Sequence, residues 1–130
     1  MKARKTAEDY LKTIYILSQT EDVHAWMIAE KLGVSRPTVS VFLKRLVQDG
    51  YILIDSGNVI SLTEKGTEIA KPVFARYQVL HTLLTRLGVD KSVAFHDACE
   101  MEHGLGDESF AALEAWASGK RKLDDGYDSD

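Results

Sequence analysis

The sequence predicts a mainly α-helical protein: an N-terminal winged helix-turn-helix over residues 1–63, an all-helical domain over 64–118, and an acidic tail over 119–130. Three observations lead there. Two segments of helical apolar periodicity are separated by a short turn containing Gly33. A pair of β-prone runs follows directly after the second segment. From Thr63 onward, apolar residues return at helical spacing.

The first helix is expected over 7–20, where Tyr10, Leu11, Ile14 and Leu17 recur at three- and four-residue steps. Thr6 is its N-cap candidate, with the carboxylate of Asp9 three positions on. In the second helix Ile28, Ala29 and Leu32 form the apolar stripe, and Gly33 suits a left-handed C-terminal stop. Ser35 can cap the third helix, whose first turn tolerates Pro37. Its stripe of Val39, Phe42, Leu43 and Leu46 runs on to Gly50.

This layout is a helix-turn-helix. Off the stripe of the third helix stand Ser35, Arg36, Pro37, Thr38, Ser40 and Lys44, a set whose hydroxyls and cations can reach base edges and phosphates of double-stranded DNA. The plainer alternative is a solvated polar face on a helical hairpin. The segment that follows weakens that alternative: runs at 51–54 and 58–62 flank Asp55-Ser56-Gly57, a β-hairpin placed where a winged helix has its wing. The wing carries Asp55 and neither Lys nor Arg, so little DNA affinity is expected from it.

A fourth helix is expected from about Thr63 to Leu87, with Gly88 as its stop and a kink or break near Lys71 imposed by Pro72. Val79, Leu80, Leu83, Leu84 and Leu87 give it a broad apolar face that suits either a core or a homodimer surface. Asp90 can cap a fifth helix reaching about Gly104. Asp107 can cap a sixth that contains Phe110, Leu113, Trp116 and Ala117. Residues 119–130 turn polar and are expected to fray.

The chain of 130 residues has a net charge of −4, unevenly spread. Residues 1–65 sum to +1 and residues 66–130 to −5, so the first half tolerates a polyanion and the second attracts cations. No run approaches the roughly 20 apolar residues that span a bilayer, so no membrane partner is expected. The single cysteine, Cys99, has no intrachain disulfide partner, which fits a reducing cytoplasm.

The densest chemistry lies in His96-Asp97-Ala98-Cys99-Glu100-Met101-Glu102-His103. On a helix Cys99, Glu102 and His103 occupy adjoining positions on one face, with His96 a turn earlier. Thiolate, carboxylate and imidazole together form a mixed donor set for a first-row divalent metal. Each residue also has an ordinary reading: a buried cysteine, a solvated glutamate, a histidine favourably placed near a helix C-terminus.

Cys99-x-x-Glu102-His103 following Leu87-Gly88-Val89-Asp90 resembles the diphtheria toxin repressor family, which includes iron-dependent repressors and shorter manganese transport regulators. Other similar pieces are Glu8-Asp9-Tyr10-Leu11-Lys12-Thr13-Ile14-Tyr15, Ile28-Ala29-Glu30-Lys31-Leu32, Pro37-Thr38-Val39-Ser40 and Leu62-Thr63-Glu64-Lys65-Gly66. Together they cover about residues 7–118, in the family's order. The resemblance implies a metal-dependent homodimeric repressor, short of the SH3-like domain of longer members, whose second domain binds metal and dimerises.

The resemblance also implies a primary site of Asp9, Cys99, Glu102 and His103. A second site would use a histidine where this chain has Tyr77, and it could be rebuilt from His81 and His96 or lost. The manganese branch has glutamates at the positions of Lys12 and Cys99, whereas Asp9 departs from the methionine of the iron branch. Thiolate and imidazole favour Fe(II), with Mn(II) and Zn(II) as alternatives. Metal-uptake genes are the targets the resemblance implies. Two rivals remain: a winged-helix regulator that ignores metals and answers a small molecule or protein partner, and a metalloenzyme. The second finds no support in a general base, a phosphate cradle or a nucleophile elbow, so no catalytic role is expected.

Overall fold

The computed structural model describes residues 6–123. Their elements run α1 (Ala7–Ser18), α2 (Ala25–Leu32), α3 (Arg36–Gln48), β1 (Ile52–Ile54), β2 (Ile60–Leu62), α4 (Glu64–Arg86), α5 (Lys91–Gly104) and α6 (Asp107–Ala117). The mainly helical fold with a winged first half is the one the sequence predicts. Two compact units divide the chain, Met1–Ala75 and Arg76–Asp130, with the boundary inside α4.

In the first unit local chemistry sets each helix end. Thr6 caps α1 through a reciprocal box with Asp9: its hydroxyl accepts from the Asp9 N–H at 3.3 Å, and its own N–H donates to Asp9 Oδ2 at 2.9 Å. Gly33 ends α2 at φ 68°, a left-handed conformation that a side chain would strain. Ser35 caps α3 by accepting from the Thr38 N–H at 3.2 Å, and Pro37 stands in the first turn where its missing N–H costs nothing. Tyr10, Leu11 and Ile14 of α1, Ile28 and Leu32 of α2, and Val39, Leu43 and Leu46 of α3 pack with Ile52 and Ile60 into one core.

The hairpin pairs Ile52 with Leu62 and Ile54 with Ile60. Asp55 builds its turn, since Oδ1 accepts from the N–H groups of Gly57 at 2.8 Å and Val59 at 2.9 Å. A bridge not foreseen from sequence ties the wing to the loop before α2: the Ile60 N–H donates to the Val23 carbonyl at 2.8 Å. The start of α4 is fastened to the end of α3, where Thr63 Oγ1 donates to the Gly50 carbonyl at 2.7 Å and Lys65 Nζ to that of Asp49 at 2.9 Å.

Pro72 does not break α4, which is helical through both units. The proline removes one backbone donor, and the flanking turns hold the helix across it. In the second unit Asp90 caps α5, accepting from the Ser92 N–H at 3.1 Å and hydroxyl at 2.6 Å. Leu80 of α4 and Ala94, Phe95 and Ala98 of α5 are buried.

The expected cap of α6 is corrected by one position: Gly106 is the N-cap and Asp107 the first helical residue. The reason is Arg76, whose guanidinium donates to Asp107 Oδ1 at 3.2 Å and to the Leu105 carbonyl at 2.9 Å while lying 4.6 Å from the Phe110 ring centre. Asp107 therefore serves an ion pair in the helix's first turn instead of the cap. Of the expected frayed tail, 124–130 lie outside the described residues. The start of it closes α6, with Gly119 at φ 78° and the N–H groups of Lys120 and Arg121 donating to the Ala115 carbonyl at 2.8 and 3.1 Å.

Candidate metal centre and nucleic-acid interface

α5 presents Ala94, Phe95, Ala98, Cys99 and Glu102 to the interior, one continuous face at helical spacing. Cys99 is 4% exposed and Glu102 8%, while His103 stands at the surface with Nε2 3.9 Å from Glu102 Oε1. A thiol and a carboxylate in one buried face, with an imidazole on the next position, are unusual company for a helix that needs only apolar residues to pack. Buried acids ordinarily have a cation or several donors beside them. The donor chemistry fits a divalent first-row metal: soft sulfur, borderline nitrogen and hard oxygen together.

Tyr77 of α4 borders this face. Burial raises its phenol well above the ordinary tyrosine value, and the charges of Cys99 and Glu102 add to the effect. Its ring lies edge-on to Phe95, with centroids 5.6 Å apart, and 5.3 Å from the His81 ring. A phenol, protonated at neutral pH in any case, is a poorer metal ligand than an imidazole. His81 is half-buried on α4 and His96 exposed on α5. Among the described residues neither of them, nor Cys99, joins a group of three carboxylate, thiol or imidazole donors.

In the first unit Asp9 is buried at the start of α1, held by the Thr6 N–H and by the Thr6 hydroxyl at 3.1 Å, both on Oδ2. Its other oxygen lies 3.7 Å from Nζ of Lys12, which is fully buried. A buried ammonium has to be balanced by anions. Lys12 thus lies within ion-pair distance of Asp9 on the next turn of α1. The three-residue spacing of Asp9 and Lys12 on a helix was the signal for this pair.

On α3 the expected DNA-facing residues Ser35, Arg36, Pro37, Thr38, Ser40 and Lys44 are exposed, Ser35 at the cap, Arg36 to Ser40 along the first two turns and Lys44 in the third. Two of the hydroxyls are already engaged with each other, since Ser35 Oγ and Thr38 Oγ1 lie 2.7 Å apart within the cap. Ser40 and Lys44 border a groove of 760 Å³ shared with Trp26, Leu43, Val47 and Ile54. One outward residue was missed from sequence: Val41, 63% exposed, lies on the side of α3 opposite the buried Val39, Leu43 and Leu46. An apolar side chain reads as core by type, and only its offset from the stripe marks it as outward.

The second unit leaves apolar surface uncovered. Val79, Leu83, Leu87 and Trp116 line a groove of 660 Å³, and no residue of α6 is fully buried. Among the described residues no helix is long and apolar enough to cross a membrane.

Two family models match the chain: the iron dependent repressor N-terminal DNA binding domain over residues 3–56, and the iron dependent repressor metal binding and dimerisation domain over 63–118. The transcriptional regulator MntR of Salmonella typhimurium is 32% identical over 114 residues, covering 87% of this chain and 73% of that protein. The HTH-type transcriptional regulator MntR of Listeria welshimeri is 33% identical over 99 residues, covering 75% and 70%. Among solved structures, a manganese-dependent transcriptional repressor in complex with manganese is similar with a TM-score of 0.70 and 30% identity. That match covers 92% of this chain, which spans 55% of the other.

Proposed function

We propose that this chain, which belongs to the iron dependent repressor family in both its DNA-binding and its metal-binding and dimerisation domains, is a homodimeric transcriptional repressor whose affinity for operator DNA rises when a divalent transition metal is bound. The observation that carries the reading is the inward face of α5, where Glu102 is buried with His103 Nε2 3.9 Å from its Oε1 and Cys99 is buried three residues earlier. Ordinary packing gives no reason for that set.

Cys99, Glu102 and His103 would hold the metal, and Asp9 joins them on the family's ligand pattern. The metal would supply positive charge that compensates thiolate and carboxylate. The second site, through His81 and His96, lacks the family's histidine at Tyr77, and neither histidine joins a group of three donors among the described residues. Fe(II) and Mn(II) stand level: the thiol favours the first, and the similar solved repressor holds the second.

With Asp9 in the ligand set, as the family's pattern implies, occupancy of the site would be coupled to the DNA-binding unit. In a dimer built on the uncovered Leu83, Leu87 and Trp116 surface, that coupling sets the spacing of the two α3 helices, which must match half-sites roughly 34–36 Å apart or a multiple. A full switch of the population, from 1:99 to 99:1, requires about 5.5 kcal/mol of differential binding. The genes implied are those of metal uptake, in a cytoplasmic setting, with no enzymatic step.

The deciding experiment is operator binding at fixed salt, titrated with anaerobic Fe(II), then Mn(II) and Zn(II), with a chelator control. Tightening by one metal and reversal by chelation supports the reading and names the metal. Tight binding indifferent to every metal and to chelator overturns it in favour of the metal-blind regulator.

A further inference from the structure

The outward face of α3 holds one residue that a solvated helix does not call for. Val41 lies roughly opposite the buried stripe, three residues after Thr38 and three before Lys44, at the centre of the exposed surface. Lys44 and Arg45, both exposed, follow it, and Arg36 precedes it. A β-branched residue is a poorer helix former than the polar residues usual at such a site. Scattered surface valines need no explanation, but this one occupies the middle of the helix face that a DNA-binding domain turns to the major groove.

We infer that Val41 is a specificity-determining residue that recognises a C5-methyl pyrimidine, thymine or 5-methylcytosine, in the major groove of the operator. This rests on the DNA-binding reading above. The pyrimidine methyl is the apolar group on the major-groove edge, where the other base features are hydrogen-bond donors and acceptors. Val41 can make no hydrogen bond. Against an adenine, guanine or unmethylated cytosine edge its methyls would cover polar groups and leave them without a partner. Against a C5-methyl they remove apolar surface from water on both sides. Thr38 is consistent with this surface, because its hydroxyl is engaged with Ser35 in the cap. The cations at Arg36, Lys44 and Arg45 suit phosphates and would set the register.

The test begins with selection of binding sites by the Mn(II)-loaded full chain at fixed salt. Two randomised duplex libraries are used, one unmodified and one with 5-methylcytosine in place of cytosine. Each thymine or methylated cytosine of the selected site is then replaced in turn by its unmethylated counterpart, and affinities are measured for wild type and Val41→Ala. The expected result is one position per half-site where loss of the methyl weakens wild-type binding about fourfold, the worth of one methyl, and leaves Val41→Ala unaffected. Thymine at that position in both libraries names thymine as the source; methylated cytosine in the second names 5-methylcytosine. If wild type is indifferent to every methyl, or Val41→Ala keeps the same loss, the inference is overturned while DNA binding stands. If neither library yields a site, the DNA-binding reading itself fails and takes this inference with it.

Discussion

The ring of Tyr10 lies flat against that of Phe42, with centroids 4.1 Å apart and planes within 6° of each other. The stack joins α1, one residue after Asp9, to α3, one residue after Val41. Burial raises the Tyr10 phenol above its ordinary value, as expected for a ring set in the core. Phe42→Ala removes half of the stack from a partly buried position. A loss of about 2 kcal/mol of stability is expected, below the range for fully buried phenylalanines, read as a lower urea midpoint with unchanged slope. Phe42→Leu should recover part of it.

Gly66 sets a second structural prediction. A Cβ at this position in the first turn of α4 would run into the Tyr51 carbonyl oxygen. Alanine normally favours a helix over glycine, yet Gly66→Ala should destabilise by about 2 kcal/mol because backbone has to move. Equal or higher thermal stability of that variant would show that the α3–α4 junction yields more easily than its hydrogen bonds at Thr63 and Lys65 indicate.

For the metal centre, Cys99→Ala should reduce Mn(II) and Fe(II) affinity at least tenfold, by analogy with loss of one ligand or its support. The helical circular dichroism should stay unchanged, since alanine fits a buried helix face. Calorimetric titration of the two proteins checks it. An unaltered binding isotherm would remove Cys99 from the donor set and leave it a packing residue.

Arg36→Ala combined with Lys44→Ala should weaken binding to all duplexes alike and flatten the logarithmic salt dependence by about two units, one for each phosphate that is no longer neutralised. Metal uptake should be the same as in wild type. If the salt dependence does not change, the cationic surface of α3 is not the one that meets phosphate.

Asp90 gives a pH dependence with a definite sign. Hydrogen bonds from the Ser92 hydroxyl and N–H hold its carboxyl below the ordinary value. A depressed folded-state pKa adds stability that is complete above the unfolded value and vanishes as pH falls through the folded one. Thermal unfolding of wild type and Asp90→Asn should therefore differ most at neutral pH and converge in acid. A constant difference across that range would mean that the charge of the cap contributes nothing.

Helix ends are the most legible part of the chain because their causes are local. Thr6 with Asp9, Gly33, Ser35 with Pro37, Gly88 and Asp90 each act within three or four residues, and sequence alone places all of them. What escapes it depends on distant chain. The Val23–Ile60 bridge needs the wing folded back to the loop before α2. The displacement of Asp107 from cap to ion pair needs Arg76, thirty-one residues earlier. Pro72 carries less weight than its type suggests, since a helix secured on both sides of a proline can continue through it. The same division holds at the candidate sites. Cys99, Glu102 and His103 stand out by spacing, whereas the burial of Tyr77 against Phe95 is set by packing between α4 and α5 that spacing does not convey.

The hairpin that Asp55 shapes, with no lysine or arginine from Tyr51 to Leu62, decides which surface of the first unit is left to meet phosphate. Attraction to random DNA comes almost wholly from neutralised phosphates. A wing without cations adds nothing to that attraction, which is left to Arg36, Lys44 and Arg45 on α3. The hairpin's part in any DNA contact is therefore one of shape, with Asp55 spent on its turn.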